Sequence, residues 1–278
     1  MSPTSQNNKR IAKNTLLLYF RMIVLMLVTL YTSRVVLDAL GESDYGIYNV
    51  VGGVVAMFSV LSNSLSGAIS RFITYELGTG NKKRLARIFS TSVNIQILMA
   101  LAIFVLCEVG GVWFLNAKMN IPDGRMEAAN IVLQCSIATF MVNLISVPYN
   151  ATIIAHERMG VFAYISILEV GLKLLVAYLI YISTFDKLTV YALLILGIAI
   201  LLRLIYGIYC GRHFAEARYR FILDRPLLKE MTGFAGWNLF GSTAYMLNTQ
   251  GVNMLINIFF GVATNAARAI AVQVDAAV

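Results

Sequence analysis

Apolar residues run through this chain in long blocks separated by short polar turns, and strict alternation is nowhere sustained. A membrane-crossing helix takes about 20 apolar residues. Seven blocks have that length: 15–36, 46–75, 88–114, 128–154, 161–181, 189–211 and 234–260. An eighth, 266–278, is still running at the last residue. Blocks this long without a period of two exclude barrel strands, so the pattern predicts an all-α polytopic bundle of transmembrane helices. The polar, basic residues 1–13 precede a block too long for a secretory h-region, so the first helix is expected to be retained.

Composition agrees with the pattern. Of 278 residues, 59% are hydrophobic and 13% charged, where a soluble domain is about a quarter charged. The mean hydropathy is +0.74. The net charge of +8 is unevenly placed. With the amino terminus inside, the inner segments hold thirteen bases, among them Lys82, Lys83, Arg84, Arg87, Arg212 and Arg218. The outer turns hold four: Lys118, Arg125, Lys187 and Arg268. The positive-inside rule then orients the chain. The acidic stretch LGESDYG, with Gly41 and Gly46, is the first outer turn, where bases are excluded and acids tolerated.

The expected organisation is an inner N-terminus (1–13), a six-helix lobe (14–211), an inner linker (212–233) and the start of a second lobe (234–278). The stretch LDALGESDYGIYNVVGGV at the first hairpin aligns weakly with NIFFGVATNAARAIAVQV after six spans, as parallel repeats would. The chain is therefore expected to be the opening part of a longer two-lobe protein. The linker mixes bases with Phe214, Tyr219 and Phe221, which suits either a segment lying on an anionic leaflet or an ordinary basic loop. Asp224 before Arg225-Pro226 reads as a helix cap.

Three spans carry polar stripes at helical spacing. They are Asn49, Gly52, Ser59, Asn63, Ser66 and Ser70 in span two; Ser136, Thr139, Asn143, Ser146 and Asn150 in span four; and Asn238, Ser242, Tyr245, Thr249 and Asn253 in span seven. Small and hydroxyl residues also serve close helix packing. Asparagines are too bulky for that role, and three such faces point to a central water-accessible cleft.

Ionisable residues in mid-membrane cost about 2.5–3.5 kcal/mol each and so face a cavity or a partner. Glu169 and Lys173 lie at i and i+4 in span five, either as a structural ion pair or as part of a charged cavity. Arg203 lies about 12 Å deep in span six. Arg21 and Arg71 sit nearer the inner surface and could snorkel. Arg34 and Asp38 are candidates for a pair near the outer surface, and Glu108 reads as interfacial. Cations thus exceed anions, which favours an anionic substrate such as a phosphate or diphosphate.

The three cysteines fall in apolar runs and read as small apolar fillers. No metal-ligand spacing, phosphate loop or GxSxG is present. Neither an enzyme nor a cofactor nor a nucleic-acid partner is expected.

The stretch KNTLLLYFRMIVLMLVTLYTSRVVLDALGESDYGIYNVVGGVV resembles the opening hairpin of polysaccharide biosynthesis proteins, the O-antigen-type lipid-linked oligosaccharide flippases. Their superfamily also holds multidrug and toxin extrusion antiporters and lipid II flippases. SRFITYELGTGNKKRLARIFSTS, VPYNATIIAHERMGVFAYISILEV and GVATNAARAIAVQV are similar to the family's later crossings. The resemblance implies a bacterial cytoplasmic (inner) membrane protein with two six-helix lobes around a central cavity. It implies that a polyprenyl-diphosphate-linked oligosaccharide is flipped by alternating access, in the company of other polysaccharide assembly proteins. On that reading Lys173 and Arg203 hold the diphosphate, with Arg21 and Arg71 secondary. Asn63, Asn143 and Asn253 contact the glycan, and Glu169 positions Lys173 or carries a coupling proton. Two alternatives remain open: a cation-coupled antiporter of organic cations, and a non-transporting scaffold of a glycan assembly complex.

Overall fold

The computed structural model describes residues 3–56, 58–118, 121–122, 124–222, 224–241 and 244. The expected eighth block, Asn253 and the repeat partner around Gly261 lie outside the described residues. The helices are α1 (Pro3–Ala56), α2 (Ser59–Thr79), α3 (Lys82–Leu106), α4 (Val112–Lys118), α5 (Met126–Ala155), α6 (Met159–Ile182) and α7 (Lys187–His213). A further helix, α8, spans 225–241. No strand occurs among the described residues. Five of the described helical segments are long and apolar enough to cross a membrane.

The first hairpin turns on a single residue. Gly41 has φ 79 and ψ 167, and helix resumes at once on its far side. The two arms of α1 run back along each other, so that Thr29, Thr32 and Ser33 line the same space as Tyr45, Tyr48 and Asn49. A residue with a Cβ is strained at positive φ. At φ 79 and ψ 167 the backbone is in a region essentially confined to glycine, so Gly41→Ala is expected to cost about 1–3 kcal/mol, read as a lowered melting temperature. The apolar block 46–75 is not one continuous helix. Helix stops at Ala56 and restarts at Ser59, with the Phe58 amide donating to the Val55 carbonyl at 3.1 Å. Gly52 and Gly53, one turn upstream, weaken the helix there. A π-helical turn, Cys107–Gly111, joins α3 to α4.

In lipid, helices associate through close packing rather than through hydrophobic burial. α1 packs along α6, and α5 along α7 and α3. Val36, Phe89, Tyr149, Ile153, Ala177, Ile180 and Cys210 meet in one buried cluster. Leu227, Met231 and Ala235 seat α8 on α2 and α3, through Ile69, Ile73 and Ile88. Large apolar side chains elsewhere point outward, as on α1 at Leu16, Phe20, Met26 and Leu30. Gln96 in α3 is 0% exposed, and neither of its amide atoms has a partner. An unmet buried amide costs about 1–3 kcal/mol, so Gln96→Met is expected to raise the melting temperature.

The two ends of the bundle differ in charge. At one end lie the turns at 80–81, 156–158 and 214–224. Gly80 closes α2 in the left-handed region, and the Asn81 side chain caps α3 by accepting from the Arg84 amide. Lys82, Lys83, Arg84, Arg87, Arg158, Arg212, Arg218, Arg220, Arg225 and Lys229 are all exposed at this basic end. The linker there is tied down rather than loose. Asn94 donates to the Ile222 carbonyl at 2.8 Å and accepts from the Tyr219 hydroxyl at 2.8 Å, and the Arg220 amide donates to Ser90 Oγ at 3.3 Å. His156 Nε2 lies 2.5 Å from Glu216 Oε1, with its ring stacked on Phe214 at 4.1 Å. Asp224 accepts from the Leu227 amide at 3.2 Å, the cap expected from the sequence.

The opposite end holds a salt-bridge cluster. Arg125, at the start of α5, donates to both carboxylate oxygens of Asp44, from Nε at 2.9 Å and from a second nitrogen. Its third nitrogen reaches Asp186 at 2.5 Å, and Lys187 donates to the Ala39 carbonyl at 3.3 Å. Three hairpin turns are thereby fastened together. Asp44 is 7% exposed, so this acid is a buried structural partner and not merely a tolerated one. Hydrogen bonds to Asp44 and Asp186 hold the Arg125 guanidinium above its ordinary value. For Asp186, burial alone raises the carboxyl; the Thr189 hydroxyl and amide and Arg125 outweigh it and leave the carboxyl below its ordinary range. A carboxyl depressed in the folded state contributes stability at and above its unfolded value and loses it as pH falls through the folded one. Melting temperature is therefore expected to drop as pH falls below about 4, and Asp186→Asn is expected to flatten that drop.

Candidate functional site

Two adjoining clefts open inside the lobe. The first, of about 180 Å³, is lined by Tyr48, Gly52, Ser136, Thr139, Asn143 and Ile195 among others. The second, of about 170 Å³, is lined by Thr29, Thr32, Asn49, Lys173 and Tyr191 among others. Tyr48 and Tyr191 form the wall between them, ring to ring at 4.8 Å and edge to face. Together the clefts bring α1, α5, α6 and α7 around one polar space.

The span-four stripe explains its outer half. Ser136, Thr139 and Asn143 face the first cleft, while Ser146 bonds back to the Val142 carbonyl at 2.8 Å. Asn150 Oδ1 is buried without a partner. From the span-two stripe, Asn49 and Gly52 reach the clefts. The Asn63 side chain, Asn253 and the span-seven stripe from Ser242 lie outside the described residues. Asn238, the stripe's first member, comes within 3.8 Å of where a Cβ on Gly67 would stand. Thr29, Thr32 and Ser33 on α1 were not singled out from the sequence. Their signal is the 29, 32, 33 spacing of hydroxyls on one helical face, and two of them spend their hydroxyls on carbonyls one turn back.

Glu169 and Lys173 are joined, Nζ to Oε1 at 2.6 Å, with both side chains part-exposed. Glu169 thus holds Lys173 at the edge of the second cleft, and its own charge is compensated there. Each of the three arginines rests over an aromatic ring of its own. Arg203 lies 3.9 Å from the centre of Tyr149, Arg21 4.5 Å from Phe162, and Arg71 4.5 Å from Phe234. Such stacking is worth about 0.5–2 kcal/mol, which a stronger anionic partner exceeds. Tyr206 sits within electrostatic reach of both Glu169 and Arg21. A Cβ on Gly207 would come within 2.9 Å of an Arg203 guanidinium nitrogen, so the glycine makes room for Arg203 to fold back over its own helix. Glu108, expected at the interface, lies in the π turn with one carboxylate oxygen buried and unpartnered.

The MatE family profile matches residues 18–179, from the first arm of α1 to the end of α6. The chain belongs to the MatE family. The fold agrees with that membership. An outward-facing multidrug resistance transporter of the MATE family in the MOP superfamily superposes with a TM-score of 0.76 at 15% identity, covering 96% of this chain and 60% of that one. A MOP superfamily transporter from Pyrococcus furiosus, reported with a binding pocket of reverse polarity, superposes with a TM-score of 0.74 at 16% identity, with the same coverage. Among curated proteins, the uncharacterized membrane protein EpsK of Bacillus subtilis (strain 168) is 18% identical over 154 residues, 55% of this chain and 30% of its own. The chain therefore spans less than two thirds of the length of each of these proteins. It is a multi-pass, all-helical membrane protein with the MATE transporter fold.

Proposed function

We propose that this MatE-family chain is part of a transporter that flips a polyprenyl-diphosphate-linked oligosaccharide across the bacterial inner membrane. The observation that carries the substrate class is the Glu169–Lys173 pair at 2.6 Å. It compensates the mid-span carboxylate of α6 and leaves Arg21, Arg71 and Arg203 as ring-held cations. A diphosphate offers bidentate acceptors that an aromatic face lacks. Lys173 and Arg203 take the headgroup in this reading, with Arg21 and Arg71 nearer the basic end as secondary contacts. Asn143, with Ser136 and Thr139, meets sugar hydroxyls in the first cleft; Asn63 and Asn253 are further glycan contacts. The polyprenyl tail stays in lipid. The exposed bases at the 80–81, 156–158 and 214–224 turns support an inside placement of that end and of the N-terminus. The fold supports alternating access by two lobes, and assembly proteins of the same glycan are the expected partners.

Cation-coupled antiport of organic cations is the second reading, favoured by the multidrug transporter's likeness in fold. It needs Glu169 to trade its lysine for a proton or a cationic substrate. Proteoliposomes distinguish the two. Fluorescent polyprenyl-diphosphate oligosaccharide is expected to become accessible to an external quencher in a protein-dependent way. Uptake of an organic cation that depends on Glu169, with no movement of the glycolipid, would overturn the flippase reading. Gly207→Ala adds a finer check. It pushes Arg203 off Tyr149 and is expected to tighten glycolipid binding up to about fivefold, since roughly 1 kcal/mol of stacking no longer competes; binding assays on the purified variant read this directly.

A further inference from the structure

We propose that the groove between α1 and α6, near the Gly41 end, is a binding site for the headgroup of a phosphoethanolamine lipid, separate from the two clefts. The groove has a volume of about 520 Å³ and is lined by Tyr31, Arg34, Asp38, Tyr178, Tyr181 and Ile182 among others. Its floor is fixed by a hydroxyl contact across the two helices, Tyr31 to Tyr178 at 2.7 Å.

Arg34 and Asp38 are both exposed and lie four residues apart on one face of α1. The sequence made them candidates for a pair, yet among the described residues neither forms a salt bridge. Arg preceding Asp at this spacing is the weaker order for a helical pair, which leaves the two charges side by side about 5–6 Å apart at Cβ. A phosphoethanolamine headgroup carries the complementary charges across a two-carbon bridge. Its phosphodiester matches the Arg34 guanidinium. Its ammonium donates to the Asp38 carboxylate and meets the rings of Tyr178 and Tyr181, which attract cations through their faces. A phosphoglycerol headgroup offers Arg34 the same phosphodiester but brings neutral hydroxyls, not a cation, to Asp38.

The depth and the surroundings fit a lipid. Arg34 and Asp38 are about 10 and 5 Å from the helix end at Gly41, the level of headgroups and of aromatic belts. Below them the α1 surface turns apolar and open, with Leu30 65% and Leu27 58% exposed, a slope on which acyl chains can lie.

The test is lipid retention by the purified protein in native mass spectrometry. The protein is exchanged into mixed micelles holding equal phosphatidylethanolamine and phosphatidylglycerol of identical acyl chains. Wild type is expected to retain phosphatidylethanolamine at least about tenfold over phosphatidylglycerol, the scale of one charge-assisted hydrogen bond. Asp38→Asn, which keeps the side chain's shape, is expected to remove that preference while still retaining phosphatidylglycerol. Arg34→Gln is expected to lose both lipids. Equal retention of the two by wild type overturns the site, and so does an unchanged preference in Asp38→Asn. Neither readout involves glycolipid or cation transport, so failure here leaves the flippase reading untouched, and failure of that reading leaves this site standing.

Discussion

Protein carrying Lys173→Ala and Arg203→Ala together is expected to bind a polyprenyl-diphosphate oligosaccharide two to four orders of magnitude more weakly than the parent. A hydrogen bond to a charged group contributes about 1.5–3 kcal/mol, and about 1.4 kcal/mol is tenfold in affinity. The two residues act from different helices, α6 and α7, and from different supports: Lys173 is held by Glu169, Arg203 by Tyr149. If one headgroup spans both they share a partner, so a cycle of single and double variants is expected to show a coupling of about 0.5–3 kcal/mol, whereas residues that do not share the ligand would simply add. Arg203→Lys is expected to recover only part of the binding, because an ammonium lacks the planar fork that grips a diphosphate. Unchanged binding in the double variant removes both residues from the headgroup site.

Arg125→Ala is expected to cost about 2–3 kcal/mol of stability, below the range of about 3–5 kcal/mol for a fully buried pair because the guanidinium is a third exposed. The reason is the isolation of its acids. Asp44 is buried at 7% exposure, and without Arg125 its charge has no described salt-bridge partner. Asp186 keeps Thr189, whose hydroxyl and amide both donate to it, so Asp186→Asn should cost far less than Asp44→Ala. Arg125→Ala with Asp44→Asn should be milder than Arg125→Ala alone, since the amide no longer strands a charge. Thermal unfolding in detergent, followed on all four proteins at one pH, checks the order. An Arg125→Ala protein as stable as its parent would show that the three turns are held by packing alone.

Much of the bundle was legible because lipid imposes a simple rule on the sequence. Every backbone group must be satisfied within its own helix, so length and apolarity locate α3, α5, α6 and α7. The i, i+4 order of Glu169 and Lys173 also reads from one helix, and the pair is there. What did not read was whatever depended on two helices at once. Asp44 looked like an acid at rest in an outer turn, because its partner Arg125 is 81 residues away. The arginines read as cations without partners, because the ring under each, Phe162, Phe234 or Tyr149, belongs to another helix. Thr29, Thr32 and Ser33 gained meaning only when the Gly41 turn laid them against Tyr45 and Asn49. The linker read as either a leaflet-lying segment or an ordinary basic loop. Its attachment through Ser90 and Asn94 needs the face that α3 presents.

The most direct measurement is a competition read by native mass spectrometry. Purified protein is titrated with a polyprenyl-diphosphate oligosaccharide and, in parallel, with a lipophilic organic cation. Saturable glycolipid binding, weakened by Lys173→Ala and by Arg203→Ala, is the predicted result. Saturable binding of the cation that Glu169→Gln abolishes, with no glycolipid retained, contradicts it and makes the carboxylate, freed from its lysine, the working group.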